Sequence, residues 1–119
     1  MKYFPCKWMA EGMAPGTYFA VLKMNGSPTQ IGTSHVANLK LNPGLNPEKE
    51  TEMAIRSLAQ QLVGVLKQPF DFDYKPPVDS FQLEQPYIPG QLTYGRIVEM
   101  SPEEKKIFER EVTQALEGK

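Results

Sequence analysis

Three groups of residues in this chain are of types that can do chemistry. His35 is the only histidine, and Ser34 stands beside it. An imidazole next to a hydroxyl can act as a general base toward a nucleophile. Asp71 and Asp73 are two apart, so on a strand both carboxylates share a face. Such a pair can hold a divalent cation or divide acid and base roles. Cys6 is the only cysteine, and Lys7 follows it, a cation that can lower a thiol pKa.

Each group also has a plainer reading. A triad needs nucleophile, base and orienting group to converge, and Ser34 and His35 point to opposite faces of one strand. His35 falls on the apolar face with Ile31 and Leu39, which fits a packed histidine satisfied by a hydrogen bond. Asp71 and Asp73 alternate with Phe70, Phe72 and Tyr74, as on the wet side of an amphipathic strand. No histidine lies near Cys6, so a buried, inert thiol is the simpler expectation. The glycines in "NGSPTQIG" and "PGLNPEK" have neither the Walker nor the dinucleotide spacing and read as turns. No catalytic residue, metal site or cofactor is assigned. A small enzyme using His35 or the Asp71/Asp73 pair stays as an alternative, with a site shared between subunits as its best form.

Bulk properties narrow the rest. The chain has 119 residues, 13 basic and 14 acidic side chains and a net charge of −1. That length suits one domain, and folding should bury about two-thirds of the unfolded surface. Balanced charge gives no footprint for a nucleic-acid backbone or an anionic membrane. Tyr3, Lys7 and Trp8 do interleave basic and aromatic groups, the composition of a base-stacking surface, so nucleic-acid binding remains the weaker alternative. One cysteine precludes an intrachain disulfide, the start lacks a signal-peptide pattern, and no run approaches a membrane span. A cytoplasmic setting is expected, or a host cytoplasm or virion if the chain is phage-encoded.

The elements that must position these residues follow from pattern. "TYFAVLKM" (17–24), the turn "NGSP" and "TQIGTSHVANLKL" (29–41) read as a hairpin, since Asn-Gly supplies the turn. The first strand is apolar on both faces, which places it inside a sheet. In the second, Ile31, Thr33, His35, Ala37, Leu39 and Leu41 alternate with mostly polar neighbours. Asn46, Pro47 and the acidic Glu48 and Glu50 start a helix over 46–67. "SPEE" is a capping box that starts a second helix over 101–117. Residues 70–74, a short stretch within 78–85, and 91–100 read as strands. The predicted fold is α+β: a mostly antiparallel sheet of about four or five strands with two helices packed on one face.

Two segments resist this scheme. Residues 1–16 mix aromatics, prolines and glycines and read as an N-terminal arm. Residues 69–90 carry Pro69, Pro76, Pro77, Pro86 and Pro89 among large apolar side chains. Long connections in compact domains are usually functional, and proline-stiffened apolar segments dock at low entropic cost. The expected function is therefore a non-enzymatic interaction or assembly subunit with a protein partner or a second copy of itself. Its expected contacts are Tyr3, Phe4 and Trp8 in the arm and Phe70, Phe72, Tyr74, Phe81, Tyr87 and Ile88 in the segment. Phage virion components and small phage-encoded inhibitors of host systems have this size and lack of motifs, a reading from class rather than from any residue.

Overall fold

The computed structural model describes residues 2–10, 16–25, 27–36, 43–67, 71–75, 78–84 and 90–118. The elements run β1 (Tyr3–Ala10), β2 (Gly16–Asn25), β3 (Ser27–His35), α1 (Pro47–Leu66), β4 (Ser80–Glu84), β5 (Leu92–Val98) and α2 (Pro102–Glu117). The strands form one sheet in the order β3-β2-β1-β5-β4, and each neighbouring pair is antiparallel. Both helices stand on one face, so the architecture is α+β.

The stretch read as an arm is the centre of the sheet. Residues 3–10 pair with β2 on one side and, from Lys7 onward, with β5 on the other. Pro5 obscures this in the sequence, because proline cannot donate to a ladder. Its ring nitrogen faces the side where the backbone of Tyr3 bonds to Asp71 and Asp73, before β5 begins at Lys7. No strand needs a donor from residue 5 there, so the proline is tolerated.

Strand β2 is buried on both faces, as its unbroken apolar run requires. Phe19 and Val21 look toward the helices and join Ala54, Ile55, Leu58, Ala59, Leu62 and Val63 of α1. Met100 and the α2 residues Phe108 and Val112 complete that core. Tyr18, Ala20 and Leu22 look the other way and form a second cluster with Cys6, Trp8 and Ala10; Phe4, Val78 and Ile97 pack against it.

The hairpin pairs Asn25 with Ser27, but its alternation breaks once. Val21 pairs with Gly32 and Leu22 with Gln30, which leaves Ile31 as the extra residue of a bulge. Ile31 therefore packs toward the helix-side core, while Thr33 and His35 stand opposite Ala20 and Tyr18 on the other face. The single apolar face predicted for Ile31, Thr33 and His35 is corrected by this one-residue slip. Residues 37–41 lie outside the described residues.

Both helix starts are those the sequence predicts. Asn46 Oδ1 accepts from the amides of Glu48 and Lys49 at 2.9 and 3.2 Å. Ser101 Oγ accepts from the Glu104 amide at 3.1 Å, and the Ser101 amide donates to Glu104 Oε1 at 2.7 Å. Lys67 closes α1 in the left-handed region with φ 58°. The helices are clasped by a ring of charges. Arg56 Nε donates to Glu111 at 3.3 Å, Arg110 reaches Glu52 at 3.0 Å and Glu111 at 3.4 Å, and Arg56 lies 3.6 Å from Glu52. Glu111 is buried, and its two arginine partners are what make that burial tolerable.

Candidate functional site

The helix layer does not span the sheet. It stands over β2 and β3, and α2 reaches β1 through Glu104, whose carboxylate pairs with Lys7 at 3.0 Å. Lys7 pairs with Val98 and Met9 with Arg96, so Val98, Arg96, Tyr94 and Leu92 project from β5 on that same face. There Leu92 is 61% exposed, Tyr94 50%, Val98 40% and Met9 36%. Exposed apolar residues scattered singly are ordinary; four on adjoining strands of one face form a patch. Tyr94 is tied at its tip, where its hydroxyl donates to Ser80 Oγ of β4 at 2.8 Å.

The patch stays rigid because the opposite side of β5 is fixed by packing. Gly95 lies under the indole of Trp8, and a Cβ at residue 95 would overlap the ring atoms Cε2, Cζ2 and Nε1. Trp8 has no exposed surface and meets Tyr18 edge-on at 5.3 Å between ring centres. Glycine is required at 95 for close approach, not for unusual backbone angles.

A second concavity lies between the two helix starts. It is a cleft of about 440 Å³ bordered by Lys7, Pro47, Thr51, Glu52, Ser101 and Glu103. Asn46 takes the amides of Glu48 and Lys49, Ser101 takes that of Glu104, and Lys7 is neutralised by Glu104. That leaves the cleft with little unmet binding capacity.

The residues singled out from sequence fall in several places. His35 is half-buried beside the ring of Tyr18, with centres 5.0 Å apart, and burial lowers its pKa. Ser34 is on the other face, donating to the Ala54 carbonyl of α1 at 2.7 Å. Asp71 and Asp73 flank Phe72 at the start of β1. Their backbones bond to Tyr3, and Asp73 Oδ1 accepts from the Lys75 amide at 3.0 Å. This is an isolated parallel bridge between Tyr3 and Phe72 rather than the strand predicted over 70–74. Among the described residues no group of three acids, histidines or cysteines could hold a metal ion. Burial pushes the Cys6 thiol up to about 12, so it stays protonated near neutral pH.

The aromatic residues read as docking contacts largely face the chain itself. Phe72 and Tyr74 pack on Phe108, with ring centres 5.6 and 6.5 Å away, all near-perpendicular. Tyr74 also donates to Glu109 at 3.3 Å, and its own burial and that carboxylate raise its pKa. Tyr3 packs on the helix-side core, Phe4 on the other, and Trp8 is wholly interior. Phe81 lies in β4, where only its backbone is described; Phe70, Tyr87 and Ile88 lie outside the described residues.

Leu92, Tyr94 and Val98 escape sequence reasoning because both phases of β5 carry apolar residues. Thr93, Gly95 and Ile97 compete with them as the inward set. Two signals are available: Arg96 shares the phase of Leu92, Tyr94 and Val98 and marks it as outward, and Gly95 marks the other side as that of close approach. Among the described residues no helix is long and apolar enough to cross a membrane. Set against known proteins, the chain matches no family model, no curated protein and no solved structure.

Proposed function

We propose that this chain is a non-enzymatic protein-interaction or assembly subunit that docks a partner on the helix-side face of β5. The observation that carries the reading is the set Leu92, Tyr94 and Val98, joined by Met9 of β1 and with Arg96 between them, exposed on the face that the helices cover elsewhere. The occupant is an amphipathic helix of a partner protein. The uncovered strip is about two strand spacings wide, roughly 10 Å, which is the diameter of one helix. The neighbouring half of the same face is closed in that way by α1. A helix laid along β5 would extend the existing layer and remove the apolar row from water. Each side chain of this size contributes about 1.5–3 kcal/mol when fully buried, before the costs of association.

A photoreactive amino acid placed at position 94 tests this, with position 65 on α1 as control because Val65 is equally open. The expected result is one partner cross-linked from 94 and not from 65, through a peptide that is amphipathic at helical spacing, with the adduct lost on Leu92→Asp. Equal labelling from both positions, or adducts that survive Leu92→Asp, would overturn the reading.

A further inference from the structure

Among the described residues the sheet ends in two edge strands, β3 and β4. An edge strand presents outward N–H and C=O groups, which another strand can pair with. On β3 those groups of Thr33 are already occupied. The Thr33 amide donates to Gln61 Oε1 at 3.0 Å, and Gln61 Nε2 donates to the Thr33 carbonyl at 2.9 Å. A primary amide carries a donor and an acceptor in one plane, so this side chain makes both bonds that a neighbouring strand would make to one residue. Nε2 also donates to Ser57 Oγ at 3.2 Å, one turn back on α1, which fixes the amide's orientation. Gly32 allows the approach: a Cβ there would stand 3.3 Å from Gln61 Oε1 and 3.4 Å from its Cβ.

Gln61 is exposed, and so are these bonds. Water could satisfy the same backbone groups. What water cannot do is exclude a strand, because it leaves at little cost when one arrives. We infer that Gln61 is a lock on the β3 edge, which keeps a second copy of this chain from adding to the sheet there. A second copy is the fitting intruder. Pairing of β3 with its own image across a two-fold axis is antiparallel by symmetry, as is every pair in this sheet. A net charge of −1 gives little repulsion between copies. The inference is independent of the docking strip on β5, which lies toward the other end of the sheet.

Gln61→Met tests it, because methionine keeps the stem over Gly32 and loses both amide bonds. Sedimentation equilibrium of the full chain should show dimer at a protein concentration about tenfold below any self-association of the wild type, the shift expected from roughly one net hydrogen bond. Amide exchange at Thr33 should be faster than wild type in the dilute variant and slow again in the associated form. A folded Gln61→Met with wild-type mass at every concentration overturns the inference. So does association that leaves Thr33 exchange fast. Should Gln61→Met fail to fold, Gln61→Leu decides by the same readings, since it likewise loses both amide bonds.

Discussion

Over β2 and β3, the helix-side face of the sheet is closed: Phe19 and Val21 meet Ile55, Leu58 and Leu62 with no exposed surface beyond 1%. Over β5, the same face is open, and Leu92 and Tyr94 keep half or more of their surface. The two halves share one antiparallel sheet and apolar side chains on this face, with Arg96 added in the open half. A helix lies above only one of them. Stability is thus concentrated in one half, which leaves the other able to offer apolar surface without risking the fold.

The comparison is broken most directly from the covered half. Phe108→Ala should cost about 3–5 kcal/mol, because it empties the centre of the contact among Phe72, Tyr74 and α2. Urea denaturation reads the loss, and a cost below about 1 kcal/mol would mean that the aromatic cluster collapses freely around the gap. Gly95→Ala couples the halves, since its new methyl meets the Trp8 indole from beneath the open strip. Overpacking of this kind should cost about 1–3 kcal/mol and quench or shift the fluorescence of the single tryptophan. An unchanged melting curve and spectrum would show that the indole yields.

Smaller effects sharpen the contrast. Ser101→Ala should lower stability by about 1 kcal/mol, as the Glu104 amide loses its side-chain acceptor while the backbone bond from residue 101 to the Glu104 carboxylate remains. Leu92→Ser should change stability by no more than about 0.5 kcal/mol, the usual range for a surface position. A loss comparable to that of Phe108→Ala would show that the strip is structural and the two halves equivalent.

The smallest effect is one of pH. Burial lowers the pKa of His35, so the folded protein binds that proton less readily than the unfolded chain. The neutral imidazole's contribution is therefore complete above the unfolded value, about 6.5, and is lost as pH falls from there through the lowered folded value. His35→Gln should flatten the stability–pH curve in that window. A curve equally steep in the variant would assign the slope to carboxylates instead.

Much of the fold is legible in the chain because the forces that set it act within a few residues. Asn46, Pro47 and the "SPEE" box start the helices wherever they are placed, through bonds to amides two and three residues on. The strand after Asn25 returns against β2, and the apolar spacing of α1 selects its buried face. The candidate site is much less legible. β5 carries apolar residues on both faces, and the charge of Arg96 together with the seat of Trp8 on Gly95 turns Leu92, Tyr94 and Val98 outward.

Sequence alone thus determined the α+β class, the helix limits and the hairpin, each by local hydrogen bonding and short-range periodicity. Tertiary structure alone decided that residues 3–10 are the central strand, since their proline is harmless only where no partner needs its missing N–H. It decided that Phe72 and Tyr74 turn inward, because Phe108 arrives from 36 and 34 positions further along. It also brought Gln61 to Thr33 across 28 residues of chain. A side chain's periodicity records which way it points along its own element. Whether anything waits there depends on how distant elements stack, and no local pattern encodes that.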